Sequence, residues 1–400
     1  MARLATKLLI YSHFFAPGVG GVETVVQALV KGLAEKRSAN GSLLYEICLV
    51  TQTPAGNSTD SLLSYRVIRQ PSSSELRRLI RGADIVHVAG AAFLPIVNSL
   101  LDRKPVVVEH HGFQTICPTG QLFQEPQNVP CPGHFMKGNH AACWRCRVSG
   151  SPFSSVRLWL LTFFRRFLCK RVTMNIVPTL WLGSQLQLPR TQVVAHGLPP
   201  SPPFVRRPGT REIPTIVFLG RLVSTKGVGV LLEAAKKLRD EKRSFELLVV
   251  GTGPERESLE ARTQEWQLSL QVHFLGGLSL DQVTVLLSKA AAVVVPSLGG
   301  EVFGMVVAEN MLRGLPVIAS DLGAFVEVLG CAGQTFRTGD AADLALHIGR
   351  ILDDPELAQR LGEAAYQRAR KIFSEHRMIE EHGRIYQSLL PKAFDIGPSL

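Results

Sequence analysis

The chain has 400 residues, 46% of them hydrophobic, with 44 Lys and Arg against 33 Asp and Glu, a formal net charge of +11. That is enough apolar material for two ordinary cores, and no apolar run reaches the roughly 20 residues needed to cross a bilayer. No basic run, helix-turn-helix, zinc-finger or aromatic-platform pattern accompanies the positive charge, which excludes nucleic acid and suits an anionic substrate or membrane surface.

At the N-terminus Arg3 and Lys7 precede only residues 8–11 before the polar Ser12 and His13. This stretch is too short for the apolar core of a signal peptide, so residues 7–11 read as a first strand. A cytoplasmic protein is expected, either free or peripheral at the inner face of the membrane. Next comes Pro17-Gly18-Val19-Gly20-Gly21-Val22-Glu23, opening a helix. Glycines at that position let backbone N–H groups approach an anion at the positive helix end. A dinucleotide fingerprint would need a small residue where Glu23 stands, and the carboxylate there would crowd and repel a pyrophosphate. A nicotinamide-dependent oxidoreductase is therefore disfavoured.

Short β-branched runs at 45–51, 85–88, 105–109 and 173–177 alternate with helical stretches, the pattern of a parallel sheet covered on both faces. His110 and His111 end the strand at 105–109. Four cysteines, Cys117, Cys131, Cys143 and Cys146, fall in one Pro- and Gly-rich insertion at about 117–146. Clustered thiols in a cytosolic protein suit a structural zinc better than disulfides, with His134 and His140 as substitute ligands. An iron–sulfur cluster and free or paired thiols are the other readings. Between 153 and 171, Val156, Trp159, Leu160, Phe163, Phe164 and Phe167 recur at helical spacing among Arg157, Arg165, Arg166, Lys170 and Arg171. Such a helix either packs its aromatic stripe on the sheet or lies in an anionic membrane surface, which would favour a lipid-linked acceptor.

The prolines of 199–213 mark a linker, and a second strand series follows at 215–219, 245–250, 271–274, 292–295 and 315–319. The expected architecture is α/β, two Rossmann-like domains with parallel sheets facing a central cleft. The domains are 1–198 and 214–373, with a C-terminal segment, 374–400, whose helix at about 375–390 packs back on the first. Ligands in such sheets bind at the carboxyl ends of the strands. There Gly220-Arg221 and Lys226-Gly227 offer a planar fork and a mobile point charge to a diphosphate. In Pro296-Ser297-Leu298-Gly299-Gly300-Glu301-Val302-Phe303-Gly304-Met305-Val306-Val307-Ala308-Glu309, two carboxylates flank a helix start near Phe303, placing Glu309 about two turns on. Glu301 can reach a hexose hydroxyl and Glu309 a ribose diol.

Gly20-Gly21-Val22-Glu23, Gly220-Arg221 with Lys226-Gly227, Gly251-Thr252-Gly253-Pro254 and Glu301-Val302-Phe303-Gly304 with Glu309 resemble, in order and spacing, the motif set of glycosyltransferase family 4, the retaining group 1 enzymes of GT-B fold. Val302 stands where the family usually has Pro, and Asn310 where Ala is common. The resemblance implies a hexosyltransferase whose UDP, GDP or ADP sugar is bound mainly by the second domain, with no metal needed for catalysis, for polysaccharide, glycolipid or glycoside synthesis. It implies that Arg221 and Lys226 neutralise the diphosphate, Glu309 holds the ribose, and Glu301 with the Phe303 and Gly304 amides holds the sugar. Gly20, Gly21, Gly251 and Gly253 line the donor site, and the base is held near Gly276 to Leu278. His111, six residues before Cys117-Pro118, matches the first-domain active-site histidine better than His110; Gly112-Phe113-Gln114 replaces Asp-Tyr-Trp. The competing reading is a non-catalytic scaffold of the same fold at an anionic membrane, which would have no need of both glutamates.

Overall fold

The structure is a computed structural model describing residues 5–18, 20–56, 60–125, 127–146, 152–201, 203–204 and 213–390. Most of the expected linker (202 and 205–212) and the chain ends (1–4 and 391–400) lie outside the described residues.

The first sheet contains β1 (Thr6–Ser12), β2 (Tyr45–Thr51), β3 (Arg66–Arg69), β4 (Ile85–Ala89) and β5 (Val106–Glu109). After β6 (Phe123–Gln124) and β7 (Val129–Pro130), a small antiparallel pair, it is completed by β8 (Met174–Val177) and β9 (Thr191–Val193). The order is β3-β2-β1-β4-β5-β8-β9, and the mapped pairings are parallel. Its helices are α1 (Gly21–Ala34), α2 (Ser73–Gly82), α3 (Phe93–Leu101), α4 (His140–Arg145), α5 (Pro152–Cys169) and α6 (Leu180–Leu186). The central strands are covered on both faces, so β5 reads Val-Val-Val-Glu with every residue buried.

The second sheet runs β12-β11-β10-β13-β14-β15, from β10 (Thr215–Leu219), β11 (Glu246–Val250), β12 (Val272–Gly276), β13 (Ala290–Val295), β14 (Val317–Ser320) and β15 (Gln334–Phe336). It is flanked by α7 (Val228–Asp240), α8 (Arg256–Glu265), α9 (Leu280–Leu287), α10 (Met305–Leu312), α11 (Gly323–Leu329), α12 (Ala341–Asp353) and α13 (Pro355–Ile372). The order reverses between β1 and β4 in one sheet and between β10 and β13 in the other. Crevices open at those switch points.

The last helix, α14 (Glu375–Leu389), leaves the second domain and enters the core of the first. Met378, Ile385 and Tyr386 are buried among residues of β1, β2 and α1. Tyr45 donates to the Gly383 carbonyl at 3.3 Å and Lys36 pairs with Glu380 at 2.9 Å. The domains also meet along the cleft. The Glu327 carboxylate of α11 accepts the Leu180 and Trp181 amides at the start of α6, both at 2.8 Å. Carboxylates are favoured at such a helix start, where amides lack intrahelical partners.

Candidate active site in the interdomain cleft

Two loops of the second domain are laced together by their backbones. The Leu298 amide donates to the Thr225 carbonyl at 2.7 Å, which joins the loop after β13 to the loop after β10. Gly227, at φ +66°, sits so close to Pro296 that a Cβ would lie 2.0 Å from its carbonyl oxygen. This close approach brings Lys226 Nζ to 2.5 Å from Glu301 Oε1, and Ser297 donates to the same oxygen at 2.9 Å. Arg221, two residues past β10 on the same loop as Lys226, is exposed.

Gly304, at φ +96°, caps α10, and a Cβ there would collide with the Phe325 ring at 2.6 Å. The first amides of α10 are therefore left without intrahelical acceptors at the mouth of the cleft. Phe303 is buried beneath. Glu309 follows on α10, and its carboxyl is raised above the usual range by burial, with Arg313 opposing. No hydrogen bond or ion pair engages its side chain among the described residues. Behind these groups Gly251, at φ +141°, packs onto Gly220, and Gly253 packs onto Leu222. Leu278, just past β12, is half-buried against the same core.

In the first domain the Glu23 carboxylate lies back over Gly18 and Gly20, where a Cβ on Gly20 would come within 2.5 Å of it. The glycine loop is thus occupied by its own carboxylate, and Gly21 faces Met305 of α10. The two histidines after β5 separate cleanly. His110 is a core residue, its Nε2 2.9 Å from Asn175 Oδ1 and its pKa lowered to about 4, chiefly by burial. His111 stacks on His196 at 5.1 Å, and His196 meets the Phe303 ring at 5.0 Å, which joins first-domain histidines to the start of α10. Burial lowers the pKa of His111, with Glu109 and Glu23 opposing, and takes His196 to about 3.

His196, Glu109, His87 and His382 were not singled out by the sequence reading. Glu109 is fully buried, with His87 Nε2 at 3.2 Å, His196 Nδ1 and His382 Nε2 each at 3.6 Å, and His111 Nε2 at 3.7 Å from its oxygens. Burial alone would raise this carboxyl, but His111, His382 and His87 hold it well below the usual range. The one available signal was a charged residue ending an otherwise apolar central strand.

Cys117, Cys131, Cys143 and Cys146 line one small cavity of about 10 Å³ together with His134 and Phe135. Burial, then the neighbouring thiols, pushes Cys143 up to about 12 and Cys146 to about 11. Cys117 also meets the Thr119 hydroxyl and Cys146 the Phe123 carbonyl, both at 3.3 Å. The insertion that carries them presses Phe123 against Gly299, so it helps to wall the cleft. The α5 stripe does not act as one face. Trp159 and Phe163 pack against Phe135, His140 and Trp144 of the insertion, although Phe163 stays 40% exposed, and Val156, Leu160, Phe164 and Phe167 are exposed too, with Phe164 meeting Phe93 of α3.

Residues 206–368 match the family model described as "Glycosyl transferases group 1", so the chain carries a domain of that group. A glycogen synthase of Mycobacterium tuberculosis is 27% identical over 71% of this chain and 69% of its own. A phosphatidyl-myo-inositol mannosyltransferase of Mycolicibacterium smegmatis is 39% identical, but over 37% of this chain and 38% of its own. Among solved structures, HepE of Anabaena in complex with UDP superposes at TM-score 0.73, with 17% identity over 96% of this chain and 100% of that one. Sucrose-phosphate synthase of Thermosynechococcus elongatus superposes at 0.70, with 20% identity over 96% and 99%. The fold is GT-B.

The separation of the two histidines is testable. His110→Ala removes a buried hydrogen bond and leaves Asn175 Oδ1 without this partner, so thermal unfolding should show a loss of about 1–3 kcal/mol. Its turnover should stay within a few-fold of the parent. His111→Ala should lower turnover far more than that.

Proposed function

We propose that this chain, a group 1 glycosyltransferase, moves a sugar from a nucleoside diphosphate sugar to a hydroxyl acceptor with retention of anomeric configuration, as the family 4 enzymes it resembles do. The observation that carries the reading is the pairing of Lys226 with Glu301 at the switch point between β10 and β13, with Arg221 on the same loop as Lys226 and the unengaged Glu309 on the helix that follows Glu301. UDP in the HepE structure supports a nucleotide-sugar donor among the UDP, GDP and ADP types.

Each part has a chemical task. Arg221 and Lys226 supply positive charge where the diphosphate lies, and the free amides of α10 add the positive end of a helix. As the bond between the anomeric carbon and the β-phosphate oxygen breaks, its electron pair stays on that oxygen, and these groups stabilise the growing charge. The acceptor hydroxyl bonds to the anomeric carbon on the face the diphosphate leaves, and its proton passes to the departing phosphate oxygen. No metal is invoked for this step. Lys226 is paired with Glu301. Turning Lys226 to the phosphates frees Glu301 to accept hydrogen bonds from the sugar. Glu309, without a partner of its own, accepts from the ribose diol.

The filled glycine loop weighs against a nicotinamide cofactor, because Glu23 occupies the place a pyrophosphate would need. A purely structural scaffold would leave Glu309 half-buried without a ligand, at a desolvation cost with no return. We assign the four cysteines a structural zinc that closes the insertion over the cleft, since a four-thiolate site leaves no open position for catalysis.

The exposed part of α5 carries Arg157, Leu160, Phe164 and Phe167, with exposed Lys170 and Arg171 just past its end. That combination fits an anionic membrane surface and a lipid-linked acceptor. No helix among the described residues is long and apolar enough to cross a membrane.

Two measurements test these readings. Glu309→Ala should weaken the free nucleoside diphosphate and the sugar donor by similar factors, whereas Glu301→Ala should spare the free nucleotide and depress transfer by orders of magnitude. NMR of the product should show the donor's anomeric configuration. An inverted product would refute retention, and equal effects of both variants on free nucleotide would remove the division of labour. The full chain should also sediment with anionic but not neutral liposomes, fading as salt rises, since the Debye length falls to about 10 Å at 0.1 M. A Phe164→Ser/Phe167→Ser variant should lose that binding while remaining folded.

A further inference from the structure

A carboxylate withdrawn from water is costly unless its oxygens are met by charge or hydrogen-bond donors. Glu109, the last residue of β5, is 0% exposed, and neither of its oxygens has a hydrogen-bond partner of acceptable geometry. The nitrogens turned toward it, His87 Nε2, His111 Nε2, His196 Nδ1 and His382 Nε2, are equally buried and equally without partners. Such mutual frustration among five groups needs a physical cause.

The opposite edges of two of these rings supply it. His382 Nδ1 lies 2.9 Å from the Met378 carbonyl oxygen, which can only accept, so Nδ1 carries the hydrogen. In a neutral ring Nε2 is then a bare lone pair aimed at a carboxylate. His87 Nδ1 is taken by the Tyr386 hydroxyl at 2.9 Å, which leaves its Nε2 turned to the same carboxylate. A histidine anchored through one nitrogen by a carbonyl or hydroxyl, with the other directed at a shared centre, has the arrangement of a metal ligand and its outer support.

Distance and alignment decide between a proton and a metal. A proton on His382 Nε2 would face an oxygen at 3.6 Å, beyond hydrogen-bond reach, and His87 Nε2, although 3.2 Å from the same oxygen, is not aligned to donate to it. A cation between the groups meets His87, His382 and Glu109 together. With bonds of about 2.0–2.1 Å, tetrahedral ligand atoms stand roughly 3.3–3.4 Å apart. His87 and His382 lie 3.2 and 3.6 Å from Glu109 Oε2, and the three ligand atoms are all within 4.8 Å of one another. Imidazole and carboxylate together suit zinc and its first-row neighbours.

We propose that His87 Nε2, His382 Nε2 and Glu109 hold one divalent transition-metal ion of the zinc class, buried between β4, β5 and α14, where it fastens the C-terminal helix to the first domain. Glu109 with His111 and His196 forms a second convergent group on the cleft side. The site is independent of the sugar-transfer reading, and its role is structural.

The test uses the full chain in a Cys143→Ser/Cys146→Ser background, which disables the thiol site. Elemental analysis should find about one zinc or related ion per chain, because the metal contributes to folding and is retained. The cobalt-substituted protein should show the weak visible bands of nitrogen and oxygen ligands without a thiolate charge-transfer band. His87→Gln and His382→Gln should each abolish binding, and amide exchange across α14 should accelerate. Should either variant fail to fold, chelation of the parent serves instead: it should lower Tm, and added zinc should restore it. A parent that holds no metal and shows no thermal shift with added zinc or cobalt overturns the proposal. So does a folded His87→Gln or His382→Gln variant that still carries a full equivalent.

Discussion

Glu109 places a negative charge where water cannot reach, and the structure around it is arranged to meet that charge. His87 comes from the neighbouring strand β4, His111 from the turn after β5, His196 from the chain leaving β9, and His382 from the helix that ends the described chain. None of these segments can withdraw without leaving the carboxylate exposed to an apolar core, a cost of several kcal/mol. One buried side chain thus links the first sheet, the exit toward the second domain and α14. The linkage extends into the cleft through stacked rings, from His111 to His196, then Phe303, then Phe373 at 5.3 Å. The start of α10, where a sugar would lie, is therefore packed directly onto the histidines of the other domain.

The second domain holds its charges differently. Lys226 and Glu301 face each other, while Glu309 is half-buried with no hydrogen-bond or ion-pair partner among the described residues. Positioning depends on backbone contacts that no Cβ would permit, at Gly227 against Pro296 and at Gly251 against Gly220. These glycines let the loops that follow β10, β11 and β13 approach one another closely. The cysteine-bearing insertion completes the wall by setting Phe123 on Gly299.

Much of this was legible in the sequence, for identifiable reasons. Central strands such as β5 and β13 are buried on both faces and read as apolar runs. The edge strands β3, β9 and β15 were missed because they are short and polar: Arg66–Arg69 begins and ends on arginine, and Gln334–Phe336 has three residues. The cysteines were close enough in sequence for their convergence to be foreseen. The Glu109 cluster could not be, since its members are drawn from positions as far apart as 87 and 382, and His382 looks like any polar residue of a helical repeat. Periodicity placed the aromatic residues of α5 on a helix but could not tell that the insertion would pack on Trp159 and Phe163 while Phe164 meets α3.

The central assignment is the ligand role of the crevice between β10 and β13, and a crystal structure of the full chain with a bound nucleoside diphosphate addresses it most directly. The expected density places the ribose hydroxyls on Glu309 and the diphosphate oxygens among Arg221, Lys226 and the first amides of α10, with Lys226 turned away from Glu301. A diphosphate remote from Arg221 and Lys226, or ribose hydroxyls away from Glu309, would contradict it.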